Sequence, residues 1–351
     1  MQSQPKLRIM MVTARWPGSN AEALYQALKR ADHSLSPVQE GFYFPERWQS
    51  VPLKILRKAL EPWMVREMHN YIVRTAEVFK PHLFIAFKGR FVLPETLKKL
   101  KASGVKLINW YPDVSFTVHS RYLPKTLPLY DWVFTTKTFG LHDMREKLGI
   151  DRASILLHGY DPEVHSLQGL SDDEMAYYAC DVSFIGTWSP KKQHYLEYLY
   201  SQLPDLSVKI WGDQWNKAMA GPLNPAIQHH AVYGREYAKA IGASKINIAI
   251  LSERRNGASS GDKITSRSFH IPASGGFMLH ERTRQVQAVY EEGEDVACFA
   301  SPEELVQNVE TFLADESGRK RIARSGWERC VPAHSMDERA RVIMDKYWEL
   351  V

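Results

Sequence analysis

The sequence is poor in cysteine. Cys180, Cys298 and Cys330 are the only three in 351 residues and stand far apart. They lack the close pairs that a zinc site needs, and an odd count builds no disulfide framework. A reducing compartment and no structural metal are expected. Long hydrophobic runs are missing as well. The first apolar stretch, residues 7–12, is too short to span a bilayer and carries Arg8. The opening residues MQSQPK contain no apolar segment of a signal peptide. The reading is a cytoplasmic chain without a membrane span. Also absent are a G-x-G-x-x-G fingerprint after the first strand and a Walker A loop, which moves hydride transfer and ATP hydrolysis down the list. There is no internal repeat and no low-complexity tract.

What is present is an ordinary globular composition, 44% hydrophobic and 24% charged. A chain of this length exceeds one core, and two domains of roughly 150 to 200 residues are expected. The formal charge of +5 and pI near 8.9 suit phosphorylated ligands or an anionic surface, and equally a basic exterior without consequence.

Short β-branched runs alternate with amphipathic segments throughout, the pattern of parallel βα units. Strands are predicted at 7–13, 37–42, 83–87, 105–110, 132–135 and 155–157, then at 181–186, 208–211, 231–233, 246–250, 277–280 and 296–299. That gives an α/β chain of two doubly wound parallel sheets facing across a cleft. A glycine-, proline- and acid-rich stretch from His158 to Met175 breaks both periodicities and holds the boundary. Three long helices, 302–313, 318–329 and 336–350, close the chain. The domains are expected at 1–165 and 166–335, with 336–351 a C-terminal helix able to pack back on the first.

Ligands of open α/β sheets bind beyond the carboxyl ends of strands, so the loops there carry the search. The first, Ala14 to Gly18, leads into Ser19 and Glu22, a capping-box pattern at a helix start. A second runs from Gly186 and Thr187 to Lys191 and Lys192, where glycine admits close backbone approach and lysines can meet a phosphate. A solvated turn is the plainer reading. The third, 258–276, is rich in glycine and serine. Thr265 and Ser266 can open a helix whose free amides suit an anion, and Arg267 can add a bidentate contact or point to solvent. Asp262 lies in the same loop. The fourth follows the strand at 105–110 and holds Asp113 and His119, candidates for acid/base work or for orienting an acceptor.

These residues carry a resemblance. Phe84–Arg90, Leu93–Leu97, Asn109–Asp113 and Tyr130–Lys137 in the first half resemble the GT-B glycosyltransferases related to CgeB-type spore-maturation proteins. So do His158-Gly-Tyr-Asp161 at the hinge, and Asp181–Thr187, Ile210–Asp213, Arg267–Gly275 and Ser301–Leu305 in the second half. The C-terminal half is itself similar to the large retaining group-1 family. The resemblance implies a GT-B fold and a metal-independent glycosyltransferase, hexosyl or deoxyhexosyl, in cell-surface glycan biosynthesis. It needs no resident cofactor. A UDP-, dTDP- or GDP-sugar is the co-substrate, bound by the second domain, and a glycan, lipid-linked or protein acceptor sits on the first. The diphosphate falls to Gly186, Lys191 or Lys192, Thr265 and Ser266, and the nucleobase to Tyr233, Gly234 and Arg235. The family spaces two acids by seven intervening residues, and that frame lands on Asp262 and His270. Asp262 would orient the sugar. A histidine in the second place alters the pentose contact, and a deoxyribose donor is one consequence.

Two rivals stay open: a sugar-nucleotide 2-epimerase of the same architecture, and a donor-binding pseudoenzyme. Nucleic acid is disfavoured, since no arginine-rich run or known motif supports it. Residues 53–60 with Trp63 and Met64 read as a basic amphipathic helix. Packing on the domain core is the favoured use, and peripheral contact with the inner membrane face is the other. The oligomeric state has no signature.

Overall fold

The computed structural model describes residues 5–14, 16, 18–44, 50–166 and 169–351. The chain forms two compact units, one of residues 1–157, 254–260 and 339–351, the other of 158–253 and 261–338. Each has its own parallel sheet and its own apolar core.

The first sheet has strands β1 (Arg8–Thr13), β2 (Ser34–Gln39), β3 (Leu83–Phe87), β4 (Lys106–Tyr111), β5 (Trp132–Thr135) and β6 (Ala153–Ile155). Their order is β2-β1-β3-β4-β5-β6, all parallel. Ile9, Met10, Met11 and Val12 are all fully buried, as a strand covered on both faces requires. The helix Asn20–Arg30 follows β1, and the Ser19 hydroxyl accepts from the Glu22 amide at 2.9 Å, the expected cap. Arg15 and Pro17 of the preceding loop lie outside the described residues. The second strand begins and ends three residues before its predicted bounds of 37–42, and a short helix, Glu40–Tyr43, takes up its predicted end. As an edge strand it tolerates Pro37 in its interior, which the sequence pattern took for a start.

The second sheet has β7 (Cys180–Ile185), β8 (Val208–Trp211), β9 (Ser244–Ala249), β10 (Met278–Glu281) and β11 (Ala297–Phe299), in the order β11-β10-β9-β7-β8. It has five strands rather than the predicted six, because residues 231–233 form no strand. The chain beside β8 forms an Ile210–Ile227 bridge and accepts from the Gly212 amide at the His230 carbonyl, but His229 between them adopts φ 58°. That left-handed residue ends the extended geometry before 231 is reached. Inside the core, the Ser183 hydroxyl bonds Asn247 Oδ1 at 2.8 Å, while Asn247 Nδ2 reaches the carbonyls of Ile241 and Phe277. These buried amides and hydroxyls are satisfied across β7 and β9.

Helices Pro302–Ala314, Glu316–Cys330 and Met336–Leu350 close the chain. In the first unit Arg339 donates to the Leu157 carbonyl at 2.9 Å, and the Lys346 ammonium sits 4.0 Å from the Trp132 ring. No helix of the described residues is long and apolar enough to cross a membrane.

Candidate functional site

In the second unit β8 lies on one side of β7 and β9 on the other, so the chain reverses its winding between β7 and β9. A sheet of this kind offers its ligand site at the carboxyl ends beside such a reversal. Arg267 spans that gap. Its Nη2 donates to the Ile250 carbonyl at 2.6 Å and its Nη1 to that of Ile185 at 3.3 Å, while the guanidinium lies over the Phe184 ring. Arg267 therefore points inward to the strand ends and not to solvent. Burial pulls its pKa below the ordinary value, and Tyr237, Asp262 and Glu281 oppose that pull.

Gly186, directly after β7, is pressed against this guanidinium: a Cβ there would lie 2.4 Å from Arg267 Nη1. Gly212, after β8, has φ 140°, and a Cβ on it would fall 2.2 Å from the Gly186 carbonyl oxygen. Two strand ends thus meet through bare backbone. The helix Arg267–Ala273 opens after Ser266, as expected. Its approach is fixed by a relay of hydrogen bonds. The Thr265 amide donates to Ser268 Oγ at 3.2 Å, Ser268 Oγ meets His280 Nε2 at 2.7 Å, and His280 Nδ1 meets the Glu281 carbonyl at 2.7 Å. A carbonyl only accepts, so Nδ1 carries the proton and Nε2 accepts from Ser268. Burial holds His280 neutral, its pKa lowered to about 4. Thr265 Oγ1 and Arg267 Nε are buried with no hydrogen-bond partner among the described residues.

Glu281 was not anticipated. Its Oε1 pairs with Lys191 Nζ at 2.6 Å and its Oε2 accepts from the Leu251 amide at 2.9 Å. It ties together the loops after β7, β9 and β10. Lys192 is buried and donates to the Thr187 carbonyl at 2.9 Å and to Ser252 Oγ at 3.2 Å. Both lysines predicted for phosphate are thus engaged with the protein, and Thr187 is exposed at the start of their loop. The Glu253 carboxylate, also unforeseen, accepts from the Lys191 amide at 2.9 Å.

His270 is buried rather than open to solvent. It is 7% exposed, its ring stacks on His165 at 3.8 Å, and Tyr237 meets both rings edge-on at 5.7 Å. His270 Nε2 donates to the Gly159 carbonyl at 3.2 Å, and burial brings its pKa down to about 3. His165 Nδ1 accepts from the Asp161 amide at 3.1 Å, so both members of the stack are neutral. Asp262 lies within electrostatic reach of Arg267, and its amide donates to the Ser252 carbonyl at 3.0 Å. Tyr233 is 43% exposed with its hydroxyl on Asp213 Oδ2 at 3.2 Å. Gly234 then takes φ 58° to start the helix Arg235–Ala243, leaving Arg235 exposed. The Ser301–Leu305 motif is a helix cap: Ser301 accepts from the Glu304 amide, and Glu304 pairs with Arg282.

In the first unit Asp113 follows β4 and forms an ion pair with Lys88, which comes from the loop after β3. Lys88 holds φ 67°, a strained conformation for a side-chain-bearing residue, immediately before Gly89 at φ 71°. His119 Nδ1 lies 3.4 Å from Asp113 Oδ2 and 2.9 Å from the Tyr111 hydroxyl. Burial alone would raise the Asp113 carboxyl, but Lys88, His119 and Lys137 outweigh it and hold the carboxyl below its ordinary value. Burial lowers His119, and Lys88 and Arg255 add to that against the pull of Asp113. The pair is thus a carboxylate and a neutral imidazole at pH 7. The 254–260 segment packs beside it: Ser115 donates to the Asn256 carbonyl at 2.8 Å and Lys147 to that of Gly257 at 2.6 Å. Gly257, at φ 78°, lies so close to Thr117 that a Cβ would fall 2.0 Å from its hydroxyl. Among the described residues no group of three or more His, Cys, Asp or Glu is placed to hold a metal ion.

Residues 191–345 match the family model described as glycosyl transferase-like. The architecture is GT-B. Over 98% of its length the chain superposes on 99% of sucrose-phosphate synthase from Thermosynechococcus elongatus, with a TM-score of 0.72 and 12% identity. Over 98% it likewise superposes on the whole of Anabaena HepE in complex with UDP-glucose, TM-score 0.68 and 12% identity. A putative UDP-N-acetylglucosamine 2-epimerase from Listeria monocytogenes is similar over 99% of this chain and 98% of its own, TM-score 0.56 and 10% identity. No curated protein matches the chain in sequence.

Glu281 and Lys88 had a legible signal, since each stands at or just after the end of a predicted strand. Tyr237 and His165 had none. Their meeting with His270 joins three separate segments, and no spacing along the chain encodes it.

Proposed function

We propose that this chain transfers a glycosyl group from a nucleoside-diphosphate sugar to an acceptor hydroxyl. The observation that carries the reading is the Arg267 bridge at the reversal between β7 and β9, set against bare backbone at Gly186, with Arg267 itself inside the matched segment 191–345. Gly186, Thr265 and Ser266 receive the diphosphate, with Thr265 Oγ1 and Arg267 Nε available to it. Asp262 orients the sugar, and Tyr233, Gly234 and Arg235 flank the base. The bond from the anomeric carbon to the diphosphate breaks, and the diphosphate leaves with its electron pair. The acceptor oxygen bonds that carbon, and its proton passes to a base. Preorganised donors at the departing charge are the main catalytic device.

His119 takes the proton and Asp113 orients it, because a neutral imidazole near pH 7 accepts more readily than a carboxylate locked against Lys88. Retention of configuration, independence of metal, hexosyl or deoxyhexosyl transfer and the CgeB-type kinship are parts of the same proposal, supported by the motifs from Phe84 to Leu305. UDP-glucose in HepE favours a UDP-sugar. Enclosure of His270 in a ring stack removes the motive for a deoxyribose donor, since a buried, satisfied histidine reads no pentose.

The test is a thermal-shift panel of UDP, GDP, dTDP and dUDP with their sugars, since a ligand that binds only the folded state raises its stability with affinity. UDP and a UDP-sugar are expected to raise the midpoint, and no shift with any nucleotide refutes the reading. Product analysis without acceptor separates the epimerase: an epimerised nucleotide-sugar would replace transfer.

A further inference from the structure

After β3 the chain passes through two successive left-handed residues, Lys88 at φ 67° and Gly89 at φ 71°. Lys88 pairs with Asp113, as described above. Arg90, which follows, is half-buried and has no such partner. Its guanidinium leans over the Phe91 ring at 4.6 Å, and Phe91 is itself stacked on Phe44 at 3.6 Å. The guanidinium donates no hydrogen bond and forms no ion pair among the described residues, and its Nε is buried. Such a group presents its N–H donors in a fixed fork that matches the oxygens of one carboxylate or phosphate.

Arg90 lines a cavity of about 440 Å³ in the first unit, together with Lys58, Glu61, Phe91, His119 and Arg121. Small-molecule sites occupy roughly 300 to 1,000 Å³, so the space suits a compact ligand. Ser120 ties Arg90 to the base assigned above. Its hydroxyl donates to the Arg90 carbonyl and accepts from the Tyr122 amide at 3.0 Å, which fixes the residue beside His119 to the backbone that carries the guanidinium. Lys58 and Glu61 come from the helix Val51–Phe79, anchored in the core of this unit by Met64, Val65, Met68 and Ile72.

The fixed charges of the lining are three cations and one carboxylate. The carboxylate, Glu61, lies 3.7 Å from Arg121, whose Nη2 also donates to the Tyr122 hydroxyl at 2.8 Å. Arg90 and Lys58 are left as cations without a counter-ion among the described residues. Facing them in a concave site is favourable for an anion and of no use to a neutral ligand.

We propose that this cavity selects an acceptor bearing a carboxylate or phosphate group, with Arg90 gripping the anion by its fork, Lys58 adding the second charge and His119 meeting the hydroxyl that reacts. This rests on the transferase reading and narrows its acceptor class to an acidic hydroxyl compound, a sugar acid or a sugar phosphate.

Calorimetry on the full chain with glucose, glucuronate, glucose 6-phosphate and inorganic phosphate tests it. At least one of the two acidic sugars is expected to bind about tenfold or more tighter than glucose, and the tighter of the two names the anion. Arg90→Gln should erase that preference, and Arg90→Lys, which keeps the charge and loses the fork, should restore only part of it. Lys58→Gln should weaken the acidic sugar roughly two- to fivefold. Glu61→Gln removes the lone carboxylate and should tighten acidic-sugar binding by roughly two- to fivefold, a gain that a role in packing alone does not produce. Should Arg90→Gln lower the melting midpoint, the Lys58 and Glu61 variants carry the test.

Glucose binding as well as both acidic sugars, or an undiminished preference in Arg90→Gln, overturns the proposal. Inorganic phosphate binding as tightly as the acidic sugars overturns the acceptor role, because the cavity then reads an ion and not a hydroxyl compound. UDP-glucose binding is read on the same preparations. Its failure beside intact acidic-sugar binding overturns the transferase reading and leaves the anion cavity standing.

Discussion

His270→Gln is expected to flatten the dependence of stability on pH between 8 and 5. In the native protein His270 is buried, stacked on His165, and its pKa is lowered to about 3. In the unfolded chain it titrates near 6.5. Native His270 stays neutral while unfolded His270 gains a proton, so the unfolded state binds more protons and stability falls with the pH. The loss begins near pH 6.5 and continues toward 3. At pH 5 it amounts to about 2 kcal/mol relative to pH 8, from RT times the logarithm of the ratio of the two binding polynomials. His280, lowered to about 4, adds a similar amount in the same window. For a domain of this size about 2 kcal/mol corresponds to a melting shift of roughly 4 to 8 °C. Removing one titrating ring should cancel that share. Glutamine keeps a donor for the Gly159 carbonyl, so its cost in packing is expected to be independent of pH. Melting followed by circular dichroism at pH 8, 6.5 and 5 gives the slope for both proteins. Equal slopes would refute the assignment of a neutral buried His270, whatever the absolute stabilities. Carboxylates titrate mainly below this range, and the other histidines are common to both proteins.

Gly212→Ala is expected to cost about 2 kcal/mol or more, because its Cβ would fall 2.2 Å from the Gly186 carbonyl at a φ of 140°; chemical denaturation measures this, and nucleotide binding should fall with it. Glu281→Gln should release Lys191 and loosen the loops after β7 and β9, weakening nucleotide-sugar affinity by roughly tenfold, read by calorimetry with UDP-glucose. Asp113→Asn should lower turnover at least about tenfold by leaving His119 misoriented and Lys88 unpaired; turnover within a few-fold of the parent in a steady-state assay excludes the role.

Much of the fold was legible. The twofold series of β-branched runs and the three closing helices follow from local periodicity, which needs no partner to show itself, whereas the stretch 158–175, read as a break holding the boundary, belongs wholly to the second unit and enters the helix Asp172–Tyr178. The run at 231–233 misled because its composition suits a strand while the left-handed His229 does not, and that conformation is imposed by the return beside β8. That the helix Arg267–Ala273 opens after Ser266 was legible from the serine and threonine before it. The engagement of Lys191 and Lys192 was not, since their partners Glu281 and Ser252 come from strand ends far along the chain. Residues 254–260 read as part of the second half, and in the structure they pack with the first unit through Ser115, Asp143 and Lys147.

By itself the sequence determined the class of the molecule: two parallel α/β units with glycine-bearing loops at the strand ends, because alternation, burial pattern and capping are local properties of the chain. Only the tertiary structure decided what each polar group does. The same inward Arg267 would have looked outward on a helix drawn alone. His270, standing where the family frame has an acid, became half of a neutral buried stack because Gly159, His165 and Tyr237 close around it. Hydrogen-bond partners, burial and pKa depend on which segments meet in space, and strand order sets that meeting.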